Sequence, residues 1–197
     1  LHLVSDRRRL APSASDADAQ QCLLAQVRHA VDAGLEVVHL RERDLEAGAL
    51  VRLVRACVTI TRGTGTRLVV NDRLDVAIAG GADGVHLRGD SLDAHAVRRL
   101  TPPGFIVGRS VHATGDVGLA GPVDYLLAGT VWPTASKPVE HRLLGLDGLA
   151  AICALATVPV LAIGAFITGR DPHCRAAGLS EAARYLRDGF DTVMARS

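Results

Sequence analysis

Gly108-Arg109-Ser110-Val111-His112 closes an apolar stretch that begins near Phe105. An extended strand alternates its side chains between two faces, so Ser110 and His112 fall on one face with Arg109 on the other. Other apolar runs stop in the same way. Val37-Val38-His39-Leu40-Arg41 runs into Glu42-Arg43, Leu68-Val69-Val70 into Asn71-Asp72-Arg73, and Gly84-Val85-His86-Leu87 into Arg88. In a parallel α/β protein such strand ends converge on one site.

Seven apolar runs, near residues 1–5, 36–41, 67–71, 83–87, 105–111, 124–129 and 158–164, alternate with longer amphipathic stretches. That rhythm marks repeated βα units and a parallel sheet. Leu24, Val27 and Val31 recur at helical spacing, with Gly34 following as a C-terminal cap. Asp44 reads as the N-cap of the next helix, whose apolar stripe is Leu50, Leu53, Val54 and Cys57. Shorter helices are expected over 75–80, 91–100, 114–119 and 146–156. Because the strands are almost wholly apolar, both faces should be covered, which favours a closed (β/α)8 TIM barrel of parallel strands. A flavodoxin-like sheet is the alternative. A Rossmann sheet is disfavoured, since the turn after the first strand, Asp6-Arg7-Arg8-Arg9, carries no Gly-x-Gly-x-x-Gly phosphate loop. No linker or low-complexity segment interrupts the chain, so residues 1–197 read as one domain.

With 22 basic against 21 acidic side chains and a formal charge of +1, the chain has no electrostatic footprint for nucleic acid or an anionic membrane. Any anion site must be local. No apolar stretch approaches the roughly 20 residues that span a bilayer, and the opening Leu1-His2-Leu3-Val4-Ser5-Asp6 lacks signal-peptide features. A cytoplasmic protein is expected. Cys22, Cys57, Cys153 and Cys174 never fall in Cys-x-x-Cys, which argues against a zinc knuckle or redox pair and for buried thiols.

Taken in order, Val38-His39-Leu40-Arg41-Glu42-Arg43-Asp44, Val70-Asn71-Asp72-Arg73, Gly81-Ala82-Asp83-Gly84-Val85-His86-Leu87, the Gly108–His112 run, Gly129-Thr130-Val131-Trp132-Pro133-Thr134-Ala135-Ser136-Lys137-Pro138 and Pro159-Val160-Leu161-Ala162-Ile163-Gly164 form a distinctive set. Together they resemble the thiamin-phosphate synthase and TenI (thiazole tautomerase) superfamily of (β/α)8 barrels, over about residues 1–164. The resemblance implies thiamin biosynthesis with a small-molecule thiazole phosphate as ligand. It leaves condensation and tautomerisation both open.

In the tautomerase branch, the histidine matching His112 shuttles the proton that makes a thiazole carboxylate phosphate aromatic, with Ser110 on the same strand face. A histidine suits that task near neutral pH, and no metal or other cofactor is needed. His39-x-Arg41-x-Arg43 and the Gly-Arg-Ser-Val-His run resemble this branch better, so an isomerase is the leading expectation. The alternative branch, the synthase, joins a pyrimidine diphosphate to the thiazole phosphate, and its departing pyrophosphate needs Mg2+ and basic side chains. There the resemblance implies a metal held by Asp72 and by a second aspartate where this chain has Ser91; Asp90, one position early, would serve only after a backbone shift. Thr134, Ser136 and Lys137, the chain's only lysine, match the synthase loop. On either branch, substrate contacts are implied for His39, Arg41, Arg43, Asn71, Arg109, Thr134, Ser136, Lys137 and Gly164.

After Ala162-Ile163-Gly164 the pattern breaks. The superfamily continues with a second glycine, a helix, an eighth strand and a loop that cradle the phosphate. Here an irregular or incomplete strand 8 is expected, with residues 165–168 as a makeshift strand. Such an open edge needs covering, which a homo-oligomer would do. The break also keeps a third reading in play, a non-catalytic binding or regulatory homologue. Plainer roles stand beside the functional ones: Arg41 paired with Glu42 or Asp72, Asp72 capping the helix near Asp75, and Arg73 as an outward salt-bridge partner. His39 and His86 would then be hydrogen-bonded structural residues.

Overall fold

The computed structural model of the chain describes residues 1–131 and 143–163. Seven strands, β1 (His2–Val4), β2 (Val37–Leu40), β3 (Arg67–Asn71), β4 (Gly84–Leu87), β5 (Ile106–Val111), β6 (Tyr125–Gly129) and β7 (Val160–Ile163), form one sheet in chain order. Between them lie α1 (Arg7–Leu10), α2 (Asp16–Asp32), α3 (Ala47–Thr61), α4 (Leu74–Gly80), α5 (Ala94–Leu100), α6 (Gly115–Leu119) and α7 (Gly145–Leu155). All seven expected strands are present, and the pairs β1/β2, β4/β5, β5/β6 and β6/β7 run parallel.

The strand order decides the fold class. An unbroken β1-to-β7 order means that every crossover steps the same way, and right-handed crossovers then place all helices on one face. A doubly wound sheet would instead reverse its order at a switch point. Yet β2, β4 and β6 are buried along their whole length, on both faces. A singly wound parallel sheet buried on both faces is the (β/α)8-barrel class, which excludes the flavodoxin-like alternative. The expected irregular strand 8 lies outside the described residues.

Among the described residues the chain divides into two compact units, 1–69 with 79–82, and 70–78 with 83–163. In the first, α2 starts on Ser15, whose Oγ accepts from the Asp18 amide at 3.2 Å while its hydroxyl donates to the Asp18 carboxylate at 2.7 Å. It ends as the sequence suggests. Gly34 takes a left-handed φ of 68°, and the amides of Gly34 and Leu35 donate to the carbonyls of Val31 and Ala30, closing the last turn before β2. Helix α2 packs on α3, burying Leu23, Val27 and Ala30 with Leu50, Leu53, Val54 and Cys57. Two expectations fail here. Asp44 does not cap α3, because Glu46 holds that position and the Asp44 carboxylate is taken by Arg7. Of the three described cysteines only Cys57 is buried, with its thiol pushed up to about 12 by desolvation, whereas Cys22 and Cys153 are exposed.

In the second unit the sheet register builds a row across three strands. His86 of β4 stands opposite Gly108 of β5, and Gly108 stands opposite Tyr125 of β6. Outer strands of such a trio lie about 10 Å apart, too far for an ordinary cross-strand pair. The missing side chain at Gly108 lets the two rings meet over it, with centroids 5.6 Å apart and planes 27° from parallel. A Cβ on Gly108 would lie 2.0 Å from Tyr125 Cζ.

Candidate functional site

In the first unit the residues after β1 and β2 are locked together. Ser5 donates from Oγ to Glu42 Oε1 at 2.6 Å and accepts the Arg41 amide at 2.9 Å. Glu42 also accepts the Arg7 amide and, at 2.9 Å, its guanidinium, which reaches on to both oxygens of Asp44 at 2.6 and 2.8 Å. These hydrogen bonds to carboxylates raise the Arg7 pKa and hold the Asp44 carboxyl down at about 2. Glu42 is therefore Arg7's partner and not Arg41's. The Arg41 guanidinium, half-buried, and that of exposed Arg43 have no ion-pair partner among the described residues. Desolvation and then the neighbouring Arg43 lower the Arg41 pKa, with Asp6 and Glu42 opposing the shift. His39 is buried in β2 just before them.

In the second unit, buried His86 links two hydroxyls. Its Nδ1 lies 3.0 Å from Tyr125 Oη and its Nε2 2.8 Å from Ser110 Oγ. Burial pushes the Tyr125 phenol well above its ordinary range, so it stays protonated. Ser110 is partly exposed and is thus a hydroxyl whose orientation is set from inside the sheet. Ser110 was expected from sequence; Tyr125 was not, and its register opposite a glycine was the one signal that could have found it.

Asp72 follows β3 with a left-handed φ of 63°, a conformation that aspartate tolerates better than most residues, and its amide donates to His86 O at 2.8 Å. The carboxylate does not cap α4. Its Oδ2 lies 3.5 Å from Arg88 NH1, while Oδ1 is buried with no hydrogen-bond partner among the described residues. Arg88 also clasps both oxygens of exposed Asp90, at 2.9 and 2.6 Å. An unsatisfied buried carboxylate oxygen is costly, and a hard divalent cation would satisfy it. Asp72 therefore fits Mg2+. Asp90 fits only once Arg88 lets go, and Ser91, in the position of the second aspartate, is partly exposed beside it. No group of three His, Cys, Asp or Glu side chains gathers among the described residues, and Mg2+, which keeps waters and takes substrate phosphates, requires none.

Arg109 and His112 have structural partners. The Arg109 guanidinium donates to Gly89 O and Leu92 O, both at 3.1 Å, and so pins the loop after β4. His112 is exposed, its Nδ1 meeting Gly129 O and its amide donating to Asp116 Oδ2 at 2.7 Å. Arg73 forms the expected surface pair with Asp75, at 2.8 and 2.6 Å. Asn71, the last residue of β3, is partly exposed. Thr134, Ser136, Lys137 and Gly164 lie outside the described residues.

These residues sit at or just beyond the C-terminal ends of successive strands, where (β/α)-barrel enzymes carry their chemistry. The strand order defines a (β/α)-barrel protein; among the described residues its first unit carries guanidinium groups without an ion-pair partner and its second a carboxylate oxygen without a hydrogen bond, each a group that suits charged ligands or cations. The chain belongs to the TMP-TENI family, described as thiamine monophosphate synthase, whose family model matches residues 11–185. It is 42% identical over 162 residues to the thiamine-phosphate synthase of Solidesulfovibrio magneticus, covering 81% of this chain and 73% of that protein. With the thiamine-phosphate synthase of Azorhizobium caulinodans it shares 33% identity over 209 residues, covering 98% and 95%. The solved thiamine phosphate pyrophosphorylase from Pyrococcus furiosus superposes with a TM-score of 0.68 at 28% identity, over 90% of this chain and 80% of that one.

The relatives overturn the isomerase expectation, because they are named synthases, which are transferases. The tautomerase reading falls, and with it the proton shuttle assigned to His112. Of the two motifs that favoured it, the Gly-Arg-Ser-Val-His run does not discriminate. In Gly-Arg-Ser-Val-His the glycine makes room for two rings, the arginine pins a loop and the serine is tied to His86, tasks that the barrel needs whichever reaction it hosts. No helix among the described residues is long and apolar enough to cross a membrane.

Proposed function

We propose that the chain is a thiamine-phosphate synthase, joining hydroxymethylpyrimidine diphosphate to thiazole phosphate with release of pyrophosphate, and that residues 1–197 act as one barrel domain. The observation that carries this reading is the orphaned Asp72 Oδ1, a buried carboxylate oxygen with no hydrogen-bond partner among the described residues. Mg2+ would neutralise charge on the departing pyrophosphate, with Asp72 as its ligand and Asp90 as second carboxylate. Arg41 and Arg43, without a carboxylate partner among the described residues, are assigned to phosphate oxygens, which guanidinium groups bind bidentately. Ser110 Oγ, oriented by His86, is assigned to a polar atom of the substrate. His39, Asn71, Thr134, Ser136, Lys137 and Gly164 complete the proposed substrate contacts. Arg109 serves the site by positioning, through the loop that it pins, and His112 borders that loop.

The test is direct. Incubated with both substrates, the protein should form thiamin phosphate and pyrophosphate with Mg2+ and not in excess EDTA, followed by 31P NMR. Asp72→Asn should lower turnover at least ~100-fold, the scale of losing a principal electrostatic stabiliser. Folded protein that forms no product with Mg2+ and both substrates would reject the reading.

A further inference from the structure

Asp72 and Asp90 together carry two negative charges, and the cation between them is part of this chain. Arg88 lays Nε and NH2 on Asp90 and NH1 3.5 Å from Asp72 Oδ2, leaving the pair one positive charge short. The loop holding Arg88 is fixed from beneath. Arg109, only 9% exposed, takes the carbonyls of Gly89 and Leu92, and the Ser91 amide closes a turn onto Arg88 O at 3.3 Å. The Arg88 side chain, by contrast, is 45% exposed, and exposed ion pairs are held by little net free energy. The backbone is thus anchored while the guanidinium can rotate into water.

We propose that Arg88 is the resident counter-cation of the Asp72–Asp90 pair, which a divalent cation must displace before it can take both carboxylates. This rests on the metal assignment of the synthase reading. The exchange trades one positive charge for two, so it is favourable where the metal arrives with the phosphates that share its coordination. Without them, Arg88 offsets half of the carboxylate charge and competes with the metal for both groups.

Mn2+ titration of the full chain, read by the loss of the free-ion EPR signal, tests the idea without turnover. Arg88→Gln should bind Mn2+ roughly tenfold more tightly than the parent, as expected on removing a positive charge within ~5 Å of a dication in a largely solvated setting. Arg88→Lys, which keeps the charge without the fork, should fall between them. Asp72→Asn should abolish binding in either background. A structural role alone would move thermal stability and leave Mn2+ affinity unchanged. Equal or weaker binding by Arg88→Gln, with Asp72→Asn still abolishing it, overturns the proposal and leaves the synthase reading standing. Mn2+ binding indifferent to Asp72→Asn overturns both the metal assignment and this proposal, while the condensation assay judges the synthase reading on product alone.

Discussion

Arg7 and Glu42, 35 residues apart, meet through a 2.9 Å hydrogen bond with 1% and 2% of their side chains exposed. A buried ion pair is weak evidence for stability, because desolvation offsets much of the attraction. Here most of the remaining polar groups are used: Glu42 also accepts Ser5 Oγ and the Arg7 amide, and Arg7 forks onto Asp44, while its Nε has no hydrogen-bond partner among the described residues. The pair therefore fixes the loop after β1 against the loop after β2.

Removing one partner leaves the other charge buried. Arg7→Met should cost about 3–5 kcal/mol in urea unfolding, whereas Arg7→Met with Glu42→Leu should recover much of that loss. A single-variant cost below about 1 kcal/mol would mean that the pair is not buried in solution.

Asp44 gives the network a pH dependence. Its carboxyl sits at about 2, below the ordinary 3.8, mainly through hydrogen bonds from Arg7. As pH falls the unfolded chain takes up the proton first, so the contribution is full above about pH 4 and is lost as pH falls through 2. The stability gap between the protein and Asp44→Asn, measured by denaturant titration at several pH values, should narrow over that window. A gap constant from neutrality down to pH 2 would contradict the assignment.

Arg41 should matter to ligand and hardly at all to folding. With no ion-paired carboxylate to abandon among the described residues, Arg41→Ala should leave stability within ~0.5 kcal/mol and weaken inorganic pyrophosphate binding by roughly 1.5–3 kcal/mol, the scale of a charged hydrogen bond. Isothermal calorimetry with denaturant titration separates the two. A large stability loss with binding unchanged would make Arg41 a structural residue.

Gly108→Ala tests the row of His86, Gly108 and Tyr125. Its Cβ would lie within 2.4 Å of three Tyr125 ring and hydroxyl atoms, so the ring must move and the contact with His86 break. Overpacking of this kind costs about 1–3 kcal/mol. The denaturation midpoint should fall, and the His86 ring resonances in the proton NMR spectrum should move. An unaltered His86 resonance would mean that the rings do not meet over the glycine.

Local chemistry made much of this barrel legible. Each apolar run ending in polar residues became a strand, and Gly34 ended α2, because backbone alternation and a left-handed cap depend on neighbours in the chain. Candidate strand-end residues were legible for the same reason. Their partners were not. Arg7, Arg8 and Arg9 are chemically alike in sequence, yet only Arg7 is buried, since packing selects which guanidinium faces Glu42. Asp72 read as a metal ligand, with a helix cap or an arginine partner as plainer roles, and only the fold showed Arg88 near its Oδ2 and no donor at Oδ1 among the described residues. Tyr125 reached His86 only because sheet register set a glycine between them. A strand's existence is fixed by residues a few positions apart; which charge is neutralised, and by what, depends on groups tens of residues away whose solvent is removed only when the sheet assembles.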